Sequence, residues 1–283
     1  MFHTKINTLI DLALEEDAAF GDVTSQSIFP ADHRSRASIL AREDMVVCGL
    51  EVAKRVFQRV DPNLDVNLQA DDGSRVSDGD TVLRVEGPTI SLLMAERTAL
   101  NFLQRLSGIA SLSGRFADAA SAAGTGVRIV DTRKTTPGWR ALEKYAVRCG
   151  GCFNHRSSLG EHVLIKENHI MAAGSLTRAV ELARENTPHC AKIEVETETL
   201  DQVDEALQAG AEVIMLDNMS PAQIQEAVER IDKAAIIEIS GGVTLETIPD
   251  YALPGVDVIS VGALTHSATA ADFSMIVAQS PGQ

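Results

Sequence analysis

The strongest constraint on this chain is a rhythm that begins after Gly126. Six short, nearly all-apolar runs alternate with stretches of helical periodicity: VRIV (127–130), HVLIK (162–166), AKIEVE (191–196), EVIMLD (212–217), AIIEIS (235–240) and VDVISV (256–261). Runs this short and this rich in branched residues read as strands buried on both faces. The stretches between them have clean helix starts. Thr199 with Gln202 and Ser220 with Gln223 match the capping box, and Pro221 occupies the first helical position, where its missing N–H does no harm. Gly174 and Gly210 suit helix ends. Strands joined through helices form a parallel sheet covered by those helices, and right-handed crossovers curl it toward a barrel. Eight strands take about 250 residues; this region is shorter, so the pattern predicts an incomplete, open parallel α/β barrel. A doubly wound sheet is the alternative, but no dinucleotide fingerprint follows the first strand.

The N-terminal part lacks this repeat. Ile6, Leu9, Ile10, Ala13 and Leu14 fit an apolar helix stripe, GDVTSQSIFP reads as loop, and SRASILAREDMVVCG, LDVNLQA and DTVLRVEGP read as strands around the helical EVAKRVFQRV. This mixture predicts an α+β sandwich. Residues 86–123 turn helical, with Leu92, Leu93, Ala95, Ala99, Leu100, Leu103 and Leu106 on a broad stripe that Arg97 and Arg105 interrupt. The predicted domains are therefore 1–110, joined by 268–283 through DFSMIVAQ, and 111–267.

Functional groups of a parallel α/β barrel gather at the carboxyl ends of its strands. Those ends here read Asp131-Thr132-Arg133-Lys134, Lys166-Glu167-Asn168-His169, Glu194-Val195-Glu196, Asp217-Asn218, Ser240-Gly241-Gly242 and Ser260-Val261-Gly262, with His266 close behind. The strand period of two puts Glu194 and Glu196 on one face. Acids at the rims of successive strands imply either Mg²⁺ on oxygen ligands or buried salt bridges to Lys134 and Lys166, and the two readings are compatible. Ser240-Gly241-Gly242 and Gly262 offer backbone amides ahead of helix starts, which is the physical recipe for holding phosphate.

Charge sharpens the picture. Residues 128–169 carry eight Lys/Arg and four Asp/Glu, a balance of +4, in a chain of net charge −15. Such an island draws small anions. Arg140, Lys144 and Arg148 recur at helical spacing beside Glu143 and read as a solvated helix face, whereas Arg133, Lys134, His155, Arg156 and Lys166 fall at strand ends and in loops. Several guanidinium and ammonium groups facing one pocket imply a ligand with more than one carboxylate or phosphate. The acidic remainder argues against nucleic-acid binding. No run reaches the roughly 20 apolar residues of a membrane span, and the N-terminus acquires acids too early for a secretory signal, so a cytoplasmic protein is expected. Cys149 and Cys152 form a C-x-x-C without a second pair; with Cys48 and Cys190 they read as reduced, incidental thiols.

At DTRKTTPG, CFNHRSSLGEHVLIKENH, IEVE, IMLDN, SGGVT and DVISVGALTH, and also at GDVTS and MAERTALNFLQRLSGIAS, the chain resembles the quinolinate phosphoribosyltransferase family, and it does so over almost its full length. The resemblance implies a Mg²⁺-dependent transfer from phosphoribosyl pyrophosphate to quinolinate. The products would be nicotinate mononucleotide, pyrophosphate and CO2, in de novo NAD synthesis. It also implies a homodimer or larger assembly whose sites are shared between subunits. By the same resemblance Arg133, Lys134, His155, Arg156 and Lys166 cradle the anions, and Arg97 arrives from the partner subunit. Glu196 and Asp217 surround the Mg²⁺ and the ribose, with Glu194 less securely matched, while Ser240, Gly241, Gly262 and His266 hold the 5-phosphate. Of these, Lys134, Lys166, Glu196 and Asp217 are the expected catalytic groups. The competing readings are a related phosphoribosyltransferase with another substrate, a Schiff-base aldolase using Lys166, and a non-catalytic binding protein that keeps the phosphate loops.

Overall fold

The computed structural model describes residues 2–278, whose elements follow in this order: α1 (Phe2–Ala18), α2 (Val23–Ile28), β1 (Arg34–Ala41), β2 (Met45–Val46), α3 (Leu50–Val60), β3 (Asp65–Leu68), β4 (Arg75–Val76), β5 (Thr81–Pro88), α4 (Thr89–Ala123), β6 (Arg128–Val130), α5 (Arg140–Cys149), β7 (Val163–Ile165), α6 (Glu167–Ala173), α7 (Leu176–Asn186), β8 (Ile193–Thr197), α8 (Leu200–Gln208), β9 (Val213–Asp217), α9 (Pro221–Ile231), β10 (Ile236–Ser240), α10 (Ile248–Tyr251), β11 (Val258–Ser260), α11 (Ala263–His266) and β12 (Phe273–Val277). They form two compact units. One holds residues 2–114, 136–151 and 268–278; the other holds Arg115–Thr135 and Cys152–Ser267. No described helix is long and apolar enough to cross a membrane.

The first unit is built on an antiparallel sheet in the order β12-β1-β5-β3. β1 alternates inward and outward toward its carboxyl end, burying Ala37, Ile39 and Ala41, as a sheet with one packed face requires. β12 supplies the edge strand, with Ile39 opposite Met275. α3 turns Leu50, Val52, Ala53, Val56 and Phe57 inward, and α4 adds Leu92, Leu100, Leu103 and Leu106 to the buried core. Each fully buried side chain of this size stabilises by about 1.5–3 kcal/mol. GDVTSQSIFP, read from sequence as loop, contains α2. Asp22 caps it by accepting the Ser25 N–H at 3.0 Å.

Two further expectations change in this unit. Thr136–Gly151 belongs here rather than with the barrel, because α5 and its lead-in are anchored on α4. Trp139 stacks on Phe102 with ring centroids 4.7 Å apart, and Arg105 pairs with Glu143 at 2.7 Å. A Cβ at Gly150 would lie 2.3 Å from the Ala110 carbonyl oxygen, so no larger residue fits. The glycine of this C-x-x-C thus serves close packing. Neither of its two cysteines is in a disulfide; Cys149 lies in the first unit and Cys152 in the second. The solvated helix face also needs correction, since Glu143 and Lys144 are buried while Arg148 is exposed.

The second unit contains the six strands read from the sequence, each starting one or two residues later than read, with β8 running on to Thr197. They form one parallel sheet in the order β6-β11-β10-β9-β8-β7. β6 and β7 end the sheet without pairing to each other, so the barrel is open; Phe153 makes a single parallel bridge to Val130. Both capping boxes form, Thr199 with Gln202 and Ser220 with Gln223, and Gly174 closes α6 in the left-handed conformation. The five consecutive strands after β6 therefore all run toward one rim, and the functional side chains collect there.

Candidate active site

At the carboxyl ends of these strands lies a cleft of about 440 Å³ lined by Thr132, Arg133, Lys134, His155, Arg156, Leu164, Lys166, Glu196, Met215, Asp217, Glu238, Ser240 and Ser260. Eight of the side chains singled out from sequence thus meet: Arg133, Lys134, His155, Arg156, Lys166, Glu196, Asp217 and Ser240. The volume falls in the range of small-ligand sites. A depression of about 540 Å³ also lies on the first unit's sheet, around Arg36 and Arg84. It is an open strand surface where Arg36 already pairs with Glu86, and it lacks the convergence of acids and bases found in the cleft.

The basic loop is held from below by an acid. Asp131, fully buried at the end of β6, accepts the His155 backbone N–H at 2.9 Å and the Asn154 side-chain N–H at 2.6 Å. Arg156 is buried and donates to the His162 carbonyl at 3.1 Å. Burial and the neighbouring Arg133 cation lower the Arg156 pKa, with Glu194 and Glu161 opposing them, and a guanidinium stays charged throughout the accessible range. Across the cleft the Lys166 ammonium pairs with Glu196.

The other predicted salt bridge is not made to a lysine. Glu194 instead accepts from His162 at 3.0 Å and lies 3.4 Å from His155 Nε2, which is also 3.4 Å from Glu238. His155 therefore faces two carboxylates as well as lining the cleft. Burial works against its charged form, yet Glu194 and Glu238 raise its pKa to about 9. Its Nδ1 accepts the Arg156 backbone N–H at 2.8 Å, which keeps the ring proton on Nε2, between the acids. Burial raises the pKa of Glu238, whereas for Glu194 the hydrogen bonds from His155 and His162 outweigh burial and lower it. The two carboxylates are thus pushed in opposite directions. Among the described residues His155, His162 and Glu194 also have the spacing of a metal cluster. A protonated Nε2 is no ligand, however, and the adjacent guanidinium groups oppose a cation.

The glycine loops owe their form to close packing. Gly241 has φ +96°, and a Cβ there would lie 2.2 Å from Asn218 Oδ1 and 2.8 Å from its backbone nitrogen. Asn218 is itself left-handed (φ 55°) and donates its N–H to the Ser240 carbonyl. Gly241→Ala is expected to strain both turns and weaken phosphate-ligand binding at least about tenfold, a step of 1.4 kcal/mol; isothermal titration with inorganic phosphate or a phosphorylated sugar measures it, and unchanged affinity would count against the loop. Gly262 leaves room for two side chains, since its Cβ would sit 3.1 Å from both His266 Nε2 and Lys134 Cδ. Gly241, Gly262 and His266 thus border the cleft without lining it. Arg97 is exposed on α4 in the first unit and is not among the lining residues.

Sequence reasoning missed Glu238 and His162 and gave Asp131 no role. For Glu238 the signal was present: an acid two residues before Ser240 in AIIEIS, on the same strand face.

Residues 22–107 match the quinolinate phosphoribosyl transferase N-terminal domain family and residues 109–276 match its C-terminal domain family. A Nicotiana tabacum protein named quinolinate phosphoribosyltransferase [decarboxylating] 1b is 42% identical, with 94% of this chain and 81% of that protein covered. The crystal structure of NadC from Streptococcus pyogenes is 42% identical, covers 96% of each chain and superposes with a TM-score of 0.92. The nicotinate-nucleotide pyrophosphorylase structure from Francisella tularensis is 38% identical, with 97% of this chain and 96% of that chain covered and a TM-score of 0.93.

Proposed function

The chain belongs to the quinolinate phosphoribosyltransferase family, and from that premise we propose how its cleft carries out the reaction. It transfers the phosphoribosyl group of phosphoribosyl pyrophosphate to the ring nitrogen of quinolinate, with decarboxylation, giving nicotinate mononucleotide, pyrophosphate and CO2 in de novo NAD synthesis. The observation that carries this reading is the convergence of four cationic side chains with the Glu196 and Asp217 carboxylates in a single cleft.

The pyridine nitrogen has its own lone pair, so attack needs no general base. The barrier lies in breaking the bond from the anomeric carbon to pyrophosphate. Positive charge grows on the sugar while negative charge grows on the leaving group. Lys134 and Lys166 meet the second, and the carboxylates of Glu196 and Asp217 favour the first. Arg133, Arg156 and the His155 edge hold the two carboxylates of quinolinate, contributing orientation rather than proton transfer. The glycine loops at Ser240-Gly241 and Gly262, with His266, hold the 5-phosphate. Lys166 is engaged in its ion pair, not poised as a Schiff-base nucleophile.

Glu196 and Asp217 end adjacent strands and offer hard oxygen donors beside a phosphate site, a donor set that suits Mg²⁺ shared with substrate phosphates. When bound there, the ion would neutralise pyrophosphate oxygens. The protein acts in the cytoplasm as a homodimer or larger assembly, and Arg97 completes the site of the partner subunit.

Incubation with quinolinate, phosphoribosyl pyrophosphate and Mg²⁺ is expected to release pyrophosphate, CO2 and nicotinate mononucleotide; failure to release pyrophosphate would refute the assignment. Arg97→Ala and Arg133→Ala proteins are each expected to be inactive. When subunits are exchanged between them, one intact site forms per mixed dimer and activity returns to about a quarter of wild type, one of two sites in half of the dimers. A verified mixed dimer without activity contradicts the sharing.

A further inference from the structure

Decarboxylation leaves an unfilled position on the pyridine ring, and none of the roles above supplies the proton it needs. Glu238 is the one acid in the cleft that those roles leave unused. It lies in β10, paired in register with Met215 of β9 and Val258 of β11, and Met215 is paired in turn with Glu196. Glu238 and Glu196 therefore occupy one row across the sheet, two strands apart. Glu238 is only 4% exposed, yet it lines the cleft. Its Oε1 is buried with no hydrogen-bond partner among the described residues, and His155 Nε2 lies 3.4 Å away. A bare carboxylate oxygen in that position would be left largely unsolvated, and burying the neutral carboxyl group costs less.

The surroundings favour the same protonation state. Glu194 on β8 faces Glu238 across His155, 3.4 Å from its Nε2, and accepts from His162 at 3.0 Å. Burial and the Glu194 charge raise the Glu238 pKa, while His155 and the Ser260 hydroxyl of β11 oppose them without prevailing. Arg133, Lys134, Arg156 and Lys166 line the rest of the cleft beside Glu196 and Asp217. Of these cations, Lys166 is already paired with Glu196. Two carboxylates near one another whose surroundings push their pKa values apart are the arrangement in which an acid is to be sought.

Resting on the transfer and decarboxylation proposed above, we propose that Glu238 is the acid that delivers the proton replacing the departing carboxylate. After the ring nitrogen is ribosylated, the bond between C2 and its carboxylate breaks and CO2 leaves. The electron pair stays on C2, stabilised by the adjacent positive nitrogen. The Glu238 carboxyl gives its proton to C2, a C–H bond forms, and Glu238 is left as carboxylate. It regains a proton from solvent when the product departs. No electron donor or acceptor is needed. Glu194 acts through His155 as a positioning residue, holding the imidazole edge against Glu238.

The test separates the two chemical steps in a single turnover with quinolinate and phosphoribosyl pyrophosphate, quenched in acid. Glu238→Gln keeps the shape and a neutral head group but removes the acidic proton. It is expected to form pyrophosphate within about threefold of the wild-type rate, while nicotinate mononucleotide and CO2 appear at least about 100-fold more slowly, the contribution typical of a general acid. In Glu238→Ala, added formate or acetate is expected to restore product formation in proportion to the protonated buffer acid, and wild type is expected to be indifferent to it. Nicotinate mononucleotide forming at the wild-type rate in Glu238→Gln would overturn the inference. So would an equal loss of pyrophosphate and nucleotide in folded protein, or a Glu238→Ala protein that small acids leave unchanged. Wild-type protein releasing no pyrophosphate would instead overturn the phosphoribosyl transfer itself, a separate failure.

Discussion

Arg156→Ala is expected to lower kcat/KM for quinolinate by roughly 30- to 4000-fold, the equivalent of about 2–5 kcal/mol. The size follows from where the guanidinium sits. Arg156 is buried, its Nη1 is fixed on the His162 carbonyl, and its backbone is placed by the Asp131–Asn154–His155 turn. A dianion entering the cleft meets a charge that is already dehydrated and already aimed, so little ordering remains at the moment of binding. Arg156→Lys retains the charge but loses the planar fork, and it is expected to recover only a small part of the loss. The loss should appear in quinolinate binding, while the affinity for phosphoribosyl pyrophosphate, which we propose the glycine loops hold, moves by less than about threefold. Steady-state kinetics with each substrate varied in turn check this; equal loss toward both would place Arg156 in the pyrophosphate cradle instead.

What the sequence revealed, and what it hid, follows from the range over which each signal acts. Strand positions in the barrel are written in local periodicity, so all six were readable to within a residue or two, and so were the capping boxes at Thr199 and Ser220. The rim residues followed because strand ends in a parallel sheet share one edge. Longer-range pairing was not readable. Nothing near Glu194 in the sequence says that it meets His162 and His155 rather than a lysine, because the pairing depends on how β8 faces the loop ahead of β7. Glu143 and Lys144 looked like a solvated face since charged residues at helical spacing usually are one. The burial of Glu143 depends on α4, whose Arg105 supplies its counter-charge from far along the chain. Glu238 was hidden differently. Its strand was identified, but a lone acid in an apolar run gains meaning only when its neighbours across the sheet are known.

The Glu143 contact leads to the second large expectation, on stability rather than chemistry. Glu143 is fully buried; Oε1 accepts from Arg105 Nη2 at 2.7 Å and Oε2 accepts the Thr136 N–H at 3.0 Å. Arg105 also donates to the Ala268 carbonyl at 3.2 Å, so one carboxylate organises three segments of the first unit. Its removal in Glu143→Ala leaves a half-buried guanidinium and a backbone donor without their acceptor. Breaking a buried pair from one side costs about 3–5 kcal/mol, which at about 2–4 °C per kcal/mol for a chain of this size lowers Tm by roughly 6–20 °C. The double variant Arg105→Met with Glu143→Leu, which removes both charges and fills the space, is expected to regain much of that loss, because no orphaned cation remains. Thermal unfolding followed by circular dichroism on the wild type, the single variants and the double variant measures the coupling. If Glu143→Ala melts within about 2 °C of wild type, the ion pair is not what fixes α5 on α4, and the aromatic stack of Trp139 on Phe102 must do so alone.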